Sequence, residues 1–129
     1  MKLSIFLAVI SAFQSMSYSL VGPLYPLEAD SKGVSSSMIG FIIGSYSIMY
    51  IVTLVICDKN QSKIEKITGL KIGILLTVVQ LYGLGSLHYV KSCGAFVTFS
   101  VLAQAIGGMG AGFNTFCGLS IITCLYQES

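Results

Sequence analysis

Charged residues are the scarcest class of side chain in this sequence. They make up 9% of the 129 residues, and all seven basic residues are lysines. A soluble domain carries charge on about a quarter of its residues, and most of its helices need a charged outer face. The low charge therefore excludes a soluble globular enzyme. It also excludes a disordered chain, because disorder combines high charge with low hydrophobicity.

Reactive and metal-binding side chains are scarce as well. His88 is the only histidine, and the four cysteines contain no C-x-x-C pair. A metal centre needs several ligands at set spacing, and a nucleophilic triad needs a histidine near its nucleophile. The sequence contains no arginine, so it lacks the basic patch that nucleic-acid binding requires. We therefore expect no catalytic residues, no metal, no cofactor and no nucleic-acid partner.

What the sequence does contain is four long uncharged stretches. A helix that crosses the bilayer needs about 20 apolar residues, and closed barrels need alternating strands that are not found here. The pattern predicts an all-α integral membrane protein with a single membrane domain over residues 1–129 and no soluble domain. The expected spans are about 3–24, 38–57, 72–90 and 95–119, and residues 120–127 either continue the last helix or lie at the interface.

The lysines are divided unequally between the two ends of these spans. Five lie on the side of the termini and the 58–71 connection, and two lie on the opposite side: Lys2, Lys59, Lys63, Lys66 and Lys71 against Lys32 and Lys91. Short cytoplasmic segments are enriched in lysine and arginine. We therefore expect both termini in the cytosol and the 25–37 connection outside it. An alternative is that Met1–Phe13 acts as a cleaved signal peptide, which would leave three spans.

The connection between the first two spans contains residues that typically end or begin helices. Pro23 and Pro26 are expected to end the first helix, because proline lacks an N–H donor and clashes with the preceding turn. Ser35–Ser37 offer hydroxyl groups that could cap the second helix. In this outer loop, Glu28 and Lys32 are four residues apart, so a helical turn would pair them.

Small residues recur at helical spacing within the spans. Gly40 and Gly44 form a G-x-x-x-G pair in the second helix, and Gly108 and Gly112 form another in the fourth. Such pairs let the backbones of two membrane helices approach closely. One face of the fourth helix is predicted to pack against another helix: Gln104, Gly107, Gly108, Ala111, Thr115 and Gly118.

A few polar side chains lie at membrane depth, where they are costly and often functional. Gln14 and Tyr18 are one turn apart on the first helix, Gln80 lies on the third, and Gln104 and Asn114 lie on the fourth. No lysine, aspartate or glutamate lies within any predicted span. These residues are therefore candidates either for a transport path or for interhelical hydrogen bonds.

The order of residues at the first connection resembles a known family. The pattern Pro23-x-x-Pro26-x-Glu28-Ala29-x-x-Lys32-Gly33-x-Ser35, followed by Gly40 and Gly44, resembles major facilitator superfamily transporters, in particular the branch of vesicular amine and polyamine carriers. Lys63-Ile-Glu-Lys66 followed by Gly73 is similar to the family's loop between helices two and three. The resemblance implies the first four helices of an N-terminal transporter bundle.

The sequence also departs from the family pattern. In the cytosolic loop formed by Asp58, Lys59, Lys63, Glu65 and Lys66, Cys57 and Glu65 stand where two glycines are expected. Gln104 replaces an arginine typical of the branch. Such transporters have twelve helices in two halves.

The resemblance implies a fragment or truncated member of a transporter for amines, polyamines or another small organic solute. It would lie in a plasma, organellar or vesicle membrane and need further transmembrane helices as partners. We expect no transport by the four helices alone. The alternative is a structural subunit with four spans that packs against partner helices.

Overall fold

The computed structural model describes residues 2–128, and this part of the chain is built from helices without strands. Four long helices follow one another, with a short 3₁₀ turn before the last. Their bounds are α1 Lys2–Ser31, α2 Ser36–Lys59, α3 Lys66–Ser86, the turn Leu87–Tyr89, and α4 Cys93–Gln127. All four are long and apolar enough to cross a membrane. The prediction of an all-α membrane protein with four spans is confirmed.

The end of α1 differs from the expectation. Pro23 and Pro26 lie inside the helix, which continues to Ser31, so the prediction that they end it was wrong. Membrane helices tolerate proline where neighbouring groups compensate for the lost hydrogen bonds. Here the segment beyond the prolines is held by packing, because Tyr25 stacks on Phe96 at 5.8 Å between ring centroids and Ala29 is fully buried.

The turn that follows is short and well capped. Gly33 has a φ of +77°, a left-handed conformation that favours glycine. The Ser35 hydroxyl accepts a hydrogen bond from the Met38 N–H at 3.4 Å, which confirms the predicted cap of α2. The connection between the first two helices, expected over residues 25–37, is therefore only the turn at 32–35. At the other end of the chain, α4 runs unbroken through residues 120–127.

Helix α4 lies at the centre of the bundle. It has twelve buried residues, whereas α1 and α2 have three each and α3 has four. Most contacts between helices join α4 to α2 and to α3, and α1 touches the others sparsely. The fold is therefore a tight group of α2, α3 and α4 with α1 at its edge.

Two apolar clusters lie at opposite ends of the bundle. The first cluster contains Tyr25, Ala29, Val34, Ile42, Leu87 and Phe96, and the second contains Leu7, Leu70, Cys117 and Ile121. The second cluster brings together the start of α1, the start of α3 and the last third of α4. The start of α1 and the end of α4 therefore lie at the same end of the bundle as the connection between α2 and α3.

Candidate polar cleft and interhelical contacts

Glycines of α4 make the closest approaches to its neighbours. A Cβ atom at Gly108 would collide with the Tyr46 carbonyl oxygen, and one at Gly112 would lie 2.8 Å from the Thr53 Cβ. On the α3 side, a Cβ at Gly110 would lie 2.9 Å from the Gly73 carbonyl oxygen. Small residues here let the backbones touch, which is the main source of helix association in lipid.

These contacts correct one expectation about α4. Gly107 and Gly108 were predicted to share one packing face, but Gly107 faces Gln80 of α3 and Gly108 faces α2. The physical reason is that adjacent residues lie about 100° apart on a helix, and α4 is enclosed by two neighbours. Gly40 and Gly44 of α2 have no atom of the described chain near their missing side chains. Their packing role stays a prediction that concerns helices outside this bundle.

A buried amide pair joins α3 and α4. The Gln80 Nε2 donates a hydrogen bond to the Gln104 Oε1 at 3.0 Å. Both side chains are buried, and the Gln104 Nε2 lacks a partner within the described chain. In a membrane this bond stabilises a helix pair, because hydrocarbon offers no substitute partner. Gln104 thus serves an internal contact and lies away from the cleft described below.

A second amide pair connects α4 to α1. The Asn114 Nδ2 donates to the Gln14 Oε1 at 3.1 Å. Asn114 is buried, and its Oδ1 packs against Gly73 of α3 without a hydrogen-bond partner. This bond joins a side chain of α1 directly to the central helix, so it helps to set the position of α1 against α4.

Around this second pair lies a cleft of about 560 Å³ between α1, α2 and α4. Gln14, Tyr18 and Asn114 line it together, so the structure groups three of the five predicted polar candidates. Further hydroxyl groups come from Ser11, Ser15, Tyr46, Tyr50 and Thr115. None of its lining residues is charged. The cleft therefore offers hydrogen-bond donors and acceptors without a fixed counter-ion.

Two tyrosines of α2 contribute to this cleft and were missed by sequence reasoning. Tyr46 packs its ring against Tyr18 with centroids 5.0 Å apart, and the Tyr50 hydroxyl donates to the Thr115 Oγ1 at 3.4 Å. Tyr46 and Tyr50 are four residues apart, and this spacing puts both on one face of α2. That spacing is a signal from which they could have been found.

Lys32 holds together the end of the bundle that carries the α1–α2 turn. Its Nζ donates to the carbonyl oxygens of Leu87 at 3.3 Å, His88 at 3.4 Å and Val90, and it lies 5.2 Å from the Phe96 ring centroid. The Leu87 carbonyl also accepts from the Val90 N–H, but carbonyls past the end of a helix run out of helical N–H partners, so a lysine at this C-terminal end supplies further donors and interacts favourably with the helix dipole. Lys32 therefore ties the α1–α2 turn to the α3–α4 corner.

Glu28 completes this group of contacts around Lys32. Its Oε1 lies 3.7 Å from the Lys32 Nζ and 3.3 Å from the His88 Nδ1. The pairing expected from the four-residue spacing is therefore present. The carboxylate is partly exposed, so the pair adds little stability by itself.

The predicted cytosolic loop divides into separate local contacts. Asp58 and Lys59 are exposed in the last turn of α2, and Lys63 is exposed in the connection. Glu65 precedes α3, where its Oε2 accepts a hydrogen bond from the Thr68 hydroxyl at 2.5 Å. The Lys66 Nζ reaches across to the Cys124 Sγ at 2.6 Å. The structure does not draw these five residues into a single site.

These features define a class: a multi-pass helical membrane protein with an uncharged polar cleft between its first, second and fourth helices. Neither a protein-family model nor a solved structure matches the chain.

Two curated proteins do match. The chain is 27% identical over 118 residues to the mouse (Mus musculus) MFS-type transporter SLC18B1, and 26% identical over the same length to the rat (Rattus norvegicus) protein of that name. In both comparisons the match covers 88% of this chain and 25% of the relative. The resemblance to the major facilitator superfamily is therefore confirmed, and the chain spans about a quarter of the length of the relatives it matches.

Proposed function

We propose that the four helices form one part of a major facilitator superfamily transporter, in which the cleft around Gln14 supplies one wall of a solute path. The observation that carries this proposal is the concentration of amide and hydroxyl groups in the cleft, at a depth where lipid-facing polar groups are costly. Pure helix packing does not require so many hydrogen-bonding groups around one open space. The solute would be a small organic molecule, with amines and polyamines as the class that the resemblance suggests.

The same proposal holds that the four helices do not transport by themselves. Alternating access requires two bundles that rock about a site between them. Here the cleft supplies only one wall of such a path, and α1 is loosely packed at the edge of the bundle. Further transmembrane helices would therefore complete the path, either from the rest of a longer chain or from a partner subunit.

Accessibility of the cleft to water is the direct test. Thr115→Cys places a thiol in the cleft, and Leu75→Cys places one on an exposed apolar surface of α3. In lipid vesicles, a water-soluble thiol reagent should label the cleft position and leave the α3 position unlabelled, as read by mass spectrometry. Equal protection of both positions would contradict a hydrated path.

Uptake measurements test the second part of the proposal. Vesicles that contain only the purified chain should show no saturable uptake of labelled amines or polyamines above protein-free vesicles. Saturable uptake driven by a gradient would contradict it, and would mean that several copies assemble a path from four-helix units.

A second candidate function is that of a structural subunit with four spans. It is favoured by the Gln80–Gln104 pair and by the glycine contacts of α4, which serve packing alone. In this case the cleft would be filled by a partner helix and would exclude water. The labelling of Thr115→Cys therefore distinguishes the two functions.

For the orientation we propose that both termini face the cytosol, on the basis of the lysine distribution. Cys93 and Ser62 are exposed at opposite ends of the bundle. An impermeant thiol reagent added outside cells should label Cys93 and should not label a Ser62→Cys variant at position 62. The reverse pattern would overturn the orientation.

A further inference from the structure

A small void lies where all four helices meet. Its volume is about 10 Å³, and its walls include Gln14 of α1, Tyr46 of α2, Gln80 and Thr77 of α3, and Gly107 of α4. A space of this size is close to the minimum that holds one water molecule. Voids with apolar walls stay dry, whereas a water that finds two to four polar partners is a stable part of a fold.

The polar walls have hydrogen-bonding capacity left over. Gln14 uses its Oε1 to accept from Asn114 and one amide N–H toward the Tyr46 hydroxyl, so its second amide N–H stays available. Gln80 uses one N–H toward Gln104, which leaves its second N–H and its Oε1. Thr77 donates to the Gly73 carbonyl at 2.9 Å, and its Oγ1 is still able to accept. The walls therefore hold both donors and acceptors, as a water molecule requires.

We propose that this void binds one structural water molecule, which bridges the Gln14–Asn114 pair and the Gln80–Gln104 pair. In hydrocarbon no bulk water replaces a missing partner, so each unsatisfied amide group is costly. A bridging water joins α1 and α2 to the α3–α4 interface in one network. A metal ion fits poorly, because the walls carry no carboxylate.

The chain offers a way to expel this water. A Cβ atom at Gly107 would collide with the Gln80 amide, so Gly107→Ala places a methyl group and a displaced amide in the void. Gly94→Ala is the matched control on the same helix, because nothing lies within 4 Å of that missing side chain. Val21→Ile is a second filling variant, which adds one methylene group from α1 and leaves every polar wall residue intact.

Water-edited solid-state NMR of the labelled chain in bilayers tests the proposal. The reporter is the Gln80 side-chain amide, which lines the void but not the larger cleft. We expect transfer from water protons to this amide in the parent and in Gly94→Ala, and its loss in Gly107→Ala and Val21→Ile. Absence of transfer in the parent overturns the proposal. So does transfer that survives in Val21→Ile, which settles the matter even where Gly107→Ala fails to fold.

Discussion

Helices α1 and α4 are both long and apolar, yet the chain holds them very differently. Helix α4 has twelve buried residues in 35, and α1 has three in 30. The difference lies in side-chain size, because α4 presents glycines to both neighbours while α1 presents bulky groups such as Phe13 and Leu20, which stay exposed. Apolar character thus brings a helix into the membrane, and small residues decide which helix becomes central.

Helix α1 depends on a few directional contacts. Gln14 accepts from Asn114, the Tyr18 ring packs on Tyr46, and Lys32 at its end bonds to the α3–α4 corner. Each contact is local, and the buried packing of α1 is confined to Leu7, Tyr25 and Ala29 near its two ends. We therefore expect substitutions in α4 to unfold the bundle and substitutions around α1 to loosen that helix alone.

The largest expected effect is that of Gly108→Leu. The new side chain would collide with the Tyr46 backbone and separate α4 from α2, at a cost of about 1–3 kcal/mol or more. Gly44→Leu is the matched control, because that glycine faces open space in the same bundle. Unfolding by sodium dodecyl sulfate in mixed micelles measures both. Equal stability of the two variants would contradict the central position of α4.

The comparison also shows how much of the molecule could be predicted from its sequence. Charge and run length predict the four helices, because hydrocarbon imposes a simple length requirement. They do not predict neighbours, so Gly107 and Gly108 were placed on one face although they pack on different helices. The continuation of the helix past Pro23 also depended on a contact between residues far apart in the sequence, the stacking of Tyr25 on Phe96.

The candidate site, like the fold, could be predicted only in part. The scarcity of polar groups at membrane depth was enough to identify Gln14, Tyr18 and Asn114, which do meet in one cleft. The sequence could not show that Gln104 lies outside the cleft, because its pairing with Gln80 depends on how α3 and α4 are aligned along each other. The three carbonyl partners of Lys32 could not be predicted either, because every residue has a backbone carbonyl and the sequence does not show which ones a side chain reaches.

The next effect in size is that of Lys32→Met, which keeps the apolar stem and removes the charged donor. The carbonyls of Leu87 and His88 would lose the Lys32 donor, and Leu87 would keep only the Val90 N–H, at a cost of about 1 kcal/mol at this partly exposed position. Hydrogen exchange should become faster at the Val90 amide, which bonds within this turn. Lys91→Met is the control from the same corner. If both variants leave exchange unchanged, Lys32 does not fasten α1.

A smaller effect is expected from the two amide pairs. A double-mutant cycle of Gln80→Leu and Gln104→Leu should give a coupling energy of about 0.6 kcal/mol, with about 1.7 kcal/mol as the upper bound for such bonds in membranes. The cycle of Gln14→Leu and Asn114→Leu should give less, because the cleft lets water compete for that pair. A larger coupling for the second pair would mean that α1 is held as firmly as α3.

The smallest effect is expected at the Tyr18–Tyr46 ring contact. The rings are tilted by 37° with centroids 5.0 Å apart, and Tyr18 is 43% exposed. Lipid provides no hydrophobic gain on association, so only the ring interaction itself is lost in Tyr18→Leu, about 0.5 kcal/mol. Tyr82→Leu is the control, because Tyr82 is 80% exposed. A loss at Tyr18 as large as that of Gly108→Leu would show that α1 belongs to the packed core, and the contrast between the two helices would then fail.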